Sequence, residues 1–393
     1  MSQPVLFARQ PIFDRQMNTY AYQLICSLDP EDANPSPDHT AEVLVNAFSN
    51  FLEKGHIRYL PALIRFDAGW LQHGQLPAVP SDALLLDLHY TDLPDASLQT
   101  LRQLAEKNYR LVVPANASET LLELGSVVRI DIRQGSQAEL ESLCRQLRQQ
   151  PGKILLADQV DSFSDYEMCN AVGFDLFLGN FFASAEPVAG RKLSRNELVM
   201  FQLIGEVNHP DATADSIEQV LQRDPELVAS LLRLVNSAAY RGHRTIGNIS
   251  EAVVLLGLAE LRKWVLFFAL CHNRQIPSEL ISLLLLKGKM CELLAANDAQ
   301  LEPSTAFMTG VLSGIDVILC MRKDELLPQL PLQVEVKRAL AGGSNPLGRL
   351  LASVEAYVTG QWERLPAGVN EGEMTTAYDQ ALGWSLELMQ ELG

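Results

Sequence analysis

The residues best suited to metal or redox chemistry in this 393-residue chain are its seven histidines and six cysteines, and their spacing argues against both uses. None of His39, His56, His73, His89, His209, His243 and His272 is followed by aspartate, so the His-Asp dipeptide that helps hold a divalent transition metal is absent. Cys26, Cys144, Cys169, Cys271, Cys291 and Cys320 are widely scattered without a C-x-x-C pair, which reads as free buried thiols rather than a zinc or disulfide framework. Trp264, between Lys263 and a run of valine, leucine and phenylalanine, reads as a core residue. Arg241, His243 and Arg244 read as a solvated turn.

Whatever chemistry remains must be positioned by two kinds of element. From residue 5 to about 180, short apolar runs at 83–88, 109–113, 127–132 and 153–157 alternate with helical patterns at 96–107, 137–149 and 164–172. Apolar strands separated by helices call for a parallel sheet covered by helices, either a (β/α)8-like barrel or an open doubly wound sheet. After residues 187–192 the strand signals stop. Ser194 caps an expected helix carrying Leu198, Phe201 and Ile204 that joins the two halves, and Asp224-Pro225-Glu226 starts another, with Leu227, Leu231, Leu234 and Val235 on its buried face. Further helices are expected at 250–273, 277–299, 304–321, 331–340, 346–359 and 371–391, with a break at 342–346. The expected domains are 1–190 and 191–393, each long enough for its own core.

The first half resembles the EAL type of cyclic di-GMP phosphodiesterase. The likeness lies in Ala8-Arg9-Gln10-Pro11-Ile12-Phe13-Asp14, in Tyr20 to Ile25, in Val160-Asp161, and in Gly173-Phe174-Asp175-Leu176-Phe177-Leu178-Gly179-Asn180-Phe181-Phe182. The second half resembles the HDOD domain, an all-helical relative of HD phosphohydrolases. It does so through Asp224 to Leu227, Asn236-Ser237-Ala238-Ala239-Tyr240, Ile249 to Leu258 and Leu261 to Trp264. The resemblance implies a (β/α)8-like EAL barrel followed by an all-helical HDOD domain.

It also locates the positions where an EAL enzyme keeps its metal ligands, and most are altered. The signature glutamate becomes Gln23, the next strand's asparagine becomes Arg65, and the third-strand glutamate becomes Asp87. Pro114 and Ala115 stand where adjacent aspartates belong, and the chain has no Asp-Asp pair. The lysine of the K-x-D motif becomes Arg129, before Asp131; a later glutamate becomes Asp161, and the glutamine of FQGY becomes Leu178. Two hard divalent cations need several oxygen ligands, and a guanidinium competes with them for the same place. Arg65 is expected to pair with Asp87 or Asp161.

In the second half, Ser313-Gly314 takes the place of the HD dipeptide, and Asp316 is a lone structural carboxylate. Asn236, Ser237 and Tyr240 carry the HDOD signature. They read first as a helix end satisfying backbone groups, with Trp264 a candidate interaction residue alongside them. The expectation is no catalytic residue, no metal and no cofactor. The chain would be a regulator acting by protein–protein interaction, linked by resemblance to cyclic di-GMP signalling, motility and biofilm control. The first alternative is a non-hydrolysing receptor for cyclic di-GMP or another anion, and the second, ranked below it, is an active cyclic di-GMP phosphodiesterase. The expected partners are other signalling proteins, including a second copy. A net charge of −17 disfavours nucleic acid. The lack of an apolar run near ~20 residues disfavours membrane insertion, and the absence of a secretory pattern makes the expected location cytoplasmic.

Overall fold

A tight turn decides how the first unit begins. The Asp14 carboxylate accepts hydrogen bonds from the backbone N–H groups of Gln16 and Asn18 at 2.8 and 2.9 Å, and Met17 takes a φ of 63°. The chain doubles back, so β1 (Phe7–Asp14) and β2 (Thr19–Cys26) pair antiparallel. The computed structural model describes residues 7–26, 60–66, 80–184, 213–221, 225–236, 245–271, 276–366 and 369–392. The chain divides into two units, Met1–Ser184 and Ala185–Gly393. The helix expected from Ser194, the Asp224 cap and the turn at Arg241, His243 and Arg244 lie outside the described residues.

Beyond β2 the strands run parallel: β3 (Ala62–Phe66), β4 (Leu84–Leu88), β5 (Arg110–Pro114), β6 (Val127–Asp131), β7 (Ile154–Asp158) and β8 (Leu176–Leu178). β8 then pairs antiparallel with Ile12 to Asp14 of β1, closing the barrel. Of the two architectures the periodicity allows, the closed barrel is the one formed. Its first strand is reversed relative to an all-parallel (β/α)8 barrel because a hairpin turn is too short for a parallel crossover.

Four helices are described in this unit: α1 (Asp95–Glu106), α2 (Glu119–Leu124), α3 (Gln137–Leu147) and α4 (Phe163–Val172). Ser136 with Glu139, and Ser162 with Asp165, form capping boxes that start α3 and α4. Inside the barrel, Ile12, Ala21, Leu63, Leu85, Val112, Val127, Leu156, Leu176 and Leu178 form one buried cluster. Because side chains alternate across a strand, the residues two beyond these also face inward. The sequence therefore places Gln23, Arg65, Asp87, Pro114, Arg129 and Asp158 at the carboxyl ends of their strands. Gly179, just past β8, must be glycine, since a Cβ there would lie 1.8 Å from the Val160 carbonyl oxygen.

The second unit is helical throughout its described residues. It comprises α5 (Ala214–Leu221), α6 (Pro225–Val235), α7 (Ile249–Leu256), α8 (Leu258–Cys271), α9 (Ser278–Ala295), α10 (Pro303–Leu312), α11 (Ile315–Leu319), α12 (Lys323–Leu326), α13 (Val334–Leu340), α14 (Pro346–Val358) and α15 (Glu371–Leu392). Two expected single helices are each broken in two. Gly257, at φ 77°, separates α7 from α8, and Ser313-Gly314 separates α10 from α11. Helix α9 packs against α10, α14 and α15. Its crossing with α10 is tight at two glycines, for a Cβ on Gly310 would stand 2.7 Å from the Gly288 Cα.

Candidate functional site

The carboxyl-end mouth of the barrel collects most of the polar residues that the sequence singles out, with pairings that differ from those expected. Asp87 is fully buried and Arg129 is 9% exposed. The Arg129 guanidinium donates to Asp87 Oδ2 at 2.8 Å, reaching across from β6 to β4. His89, one residue past β4, completes the cluster: its Nε2 lies 2.8 Å from Asp87 Oδ2, and its Nδ1 lies 2.6 Å from Arg129 NH2. With the ring proton on Nε2, His89 donates to Asp87 while Nδ1 accepts from Arg129, so all three groups interlock. Asp158, at the end of β7, stands 3.8 Å from Arg129 Nε. Burial pushes its carboxyl above the usual aspartate range, with Arg129 opposing.

This arrangement corrects the expected pairing of Arg65. Asp87 is taken by Arg129, and Asp161 pairs instead with Arg133 at the exposed rim. Arg65 is next to Asp87 in strand register, yet among the described residues it makes no ion pair. Its side chain reaches solvent but is ringed by enough barrel atoms that desolvation lowers its pKa. Asp87 and Asp158 oppose that shift and Arg129 adds to it. The guanidinium that reaches Asp87 is Arg129, two strands away on β6.

The remaining expected site residues have separate fates. Gln23 is half-buried on β2, opposite Gln10, whose Nε2 donates to Asn180 Oδ1 at 3.1 Å. Pro114 ends β5 and Ala115 follows it, its N–H donating to the Arg129 carbonyl. Asp131 caps the short turn after β6 by accepting from the Arg133 backbone N–H, and it also accepts from the side-chain Nε2 of Gln134. Leu178 lies in the barrel core. Sequence reasoning missed His89 and Asp158. Asp87-x-His89 spacing on one strand face was the available signal for the first, and a carboxylate at a strand's carboxyl end for the second. Among the described residues, no group of three or more histidine, cysteine, aspartate or glutamate side chains is placed to hold a metal ion. The buried Asp87 Oδ1 has no hydrogen-bond partner.

In the helical unit, Asn236 bridges backbone groups, donating to the carbonyls of Leu232 and Ile246 and accepting from the Ile246 N–H at 2.8 Å. Ser237 and Tyr240 lie outside the described residues. Trp264 is fully buried, with Phe267, Phe268, Phe307 and Trp384 around it. Beside it, Lys263 is 5% exposed and pairs with Glu260 at 2.7 Å and with Glu292. Where the HD dipeptide would fall, the Ser313 hydroxyl donates to the Gly310 carbonyl at 2.7 Å, and a Cβ on Gly314 would lie 2.6 Å from a Leu284 methyl. Asp316 lies 3.6 Å from Lys323. Cys144, Cys169 and Cys291 are free and buried, and burial pushes their thiols up to about 11, 12 and 12. Among the described residues no helix is long and apolar enough to cross a membrane.

Residues 196–369 match the HDOD domain. The chain is 25% identical over 411 residues to the uncharacterized protein YuxH of Bacillus subtilis, covering 98% of this chain and 99% of that one. It is 28% identical to the cyclic di-GMP phosphodiesterase CdgJ of Vibrio cholerae, covering 91% and 85%. Among solved structures it is similar to Klebsiella pneumoniae BlrP1 in a manganese and cyclic di-GMP complex. That likeness has 18% identity and a TM-score of 0.40, covering 46% of this chain and 56% of that one.

Proposed function

We propose that this chain, an EAL-type barrel followed by an HDOD domain, is a catalytically silent member of a cyclic di-GMP signalling system that acts by binding other signalling proteins. The observation that carries this reading is the buried pair between Arg129 and Asp87. A two-cation phosphodiesterase site needs converging oxygen ligands with open valences. Here the Asp87 carboxylate on β4 is occupied by a permanent cation, and Asp158 stands 3.8 Å from the same guanidinium. Gln23 offers a neutral amide, while Pro114 and Ala115 offer no side-chain oxygen. The donor set does not fit a two-metal centre, and no hydrolytic step is built on one. Phosphodiesterase is the name of the Vibrio cholerae relative, and it describes that protein.

The helical unit supports the same conclusion. Ser313-Gly314 supplies no imidazole or carboxylate, and Asp316 faces Lys323 rather than a second metal ligand. A folded domain with neither metal set is left with its surface as the means of acting, and the partners are proposed to be proteins of the same pathway.

Purified full-length protein incubated with cyclic di-GMP and Mg²⁺ or Mn²⁺ is expected to release no linear dinucleotide above a protein-free control. Metal-dependent turnover that disappears in an Asp87→Ala, Asp158→Ala double variant would overturn the reading. Chemical crosslinking in native extract, followed by mass spectrometry, tests the partner half. Failure to enrich any protein over an unfolded control counts against it.

A further inference from the structure

We draw no further inference here: the strongest candidate, the apolar surface patch that α7 of the helical unit presents through Val254, 88% exposed, and Leu255, 42% exposed, carries nothing because nothing among the described residues shows what covers it.

Discussion

Replacing Arg129 by leucine isolates the interaction on which the barrel mouth depends. The variant leaves Asp87, at 0% exposure, without the cation 2.8 Å away and with only His89 as a donor. Breaking a buried pair on one side costs about 3–5 kcal/mol, because the surviving charge stays desolvated. For a unit of this size each kcal/mol is worth roughly 2–4 °C in melting temperature, so the barrel transition should fall by about 6–20 °C. Differential scanning calorimetry of the full chain can follow that transition beside the one from the helical unit. Adding Asp87→Leu should recover most of the loss, since removing both charges together is close to neutral. A loss below about 1 kcal/mol for Arg129→Leu, the scale of an exposed ion pair, would refute the argument. It would mean that the Arg129–Asp87 pair behaves as an exposed one, not as a pair desolvated inside the barrel.

Two further outcomes follow from the titrating groups. Burial raises the Asp158 pKa, so the group favours folding while protonated, and that contribution is lost as pH rises from the ordinary aspartate value of about 3.9 through its higher folded value. Asp158→Asn should therefore melt above the unaltered protein at pH 7, with the gap closing toward acid pH; an equal or lower melting temperature at pH 7 contradicts the assignment. In the helical unit, burial disfavours the Lys263 charge, but hydrogen bonds to Glu260 and Glu292 outweigh it and hold its pKa above the usual lysine value. Its stabilisation is full below about pH 10.4 and disappears only as pH rises through the folded value, and Lys263→Ala should cost about 3 kcal/mol at neutral pH by denaturant titration.

How much of this was legible in the sequence depends on distance along the chain. Apolar strands such as Leu84–Leu88, and helix starts such as the Ser136–Glu139 and Ser162–Asp165 boxes, are set by neighbours, and they form close to the expected places. The breaks at Gly257 and at Ser313-Gly314 were smoothed over because apolar periodicity continues through them, while the backbone turns at the glycines. The residues of the mouth could be named, but not their pairing. Arg65 and Asp87 are register neighbours, whereas the partner chosen, Arg129, lies 42 residues from Asp87 and reaches it across the barrel. That distance depends on closure and strand stagger, which no local pattern encodes. Asp161 was placed in the mouth by motif alignment, and lies instead at the rim because the chain has already turned toward α4.

Closure of the barrel also restricts how a partner can be recruited. In the cyclic order, each described strand has a neighbour on both sides, and β8, only three residues long, still pairs with β7 and β1. A sheet without a free edge offers no row of unpaired N–H and C=O groups for an incoming peptide to extend. Strand addition and edge-to-edge self-association are thus closed to the sheet formed by the described strands. A protein that docks on it, a second copy included, has to be recognised by side chains on the covering helices and on the loops at either end, where specificity can change by surface substitution while the backbone of the sheet stays fixed.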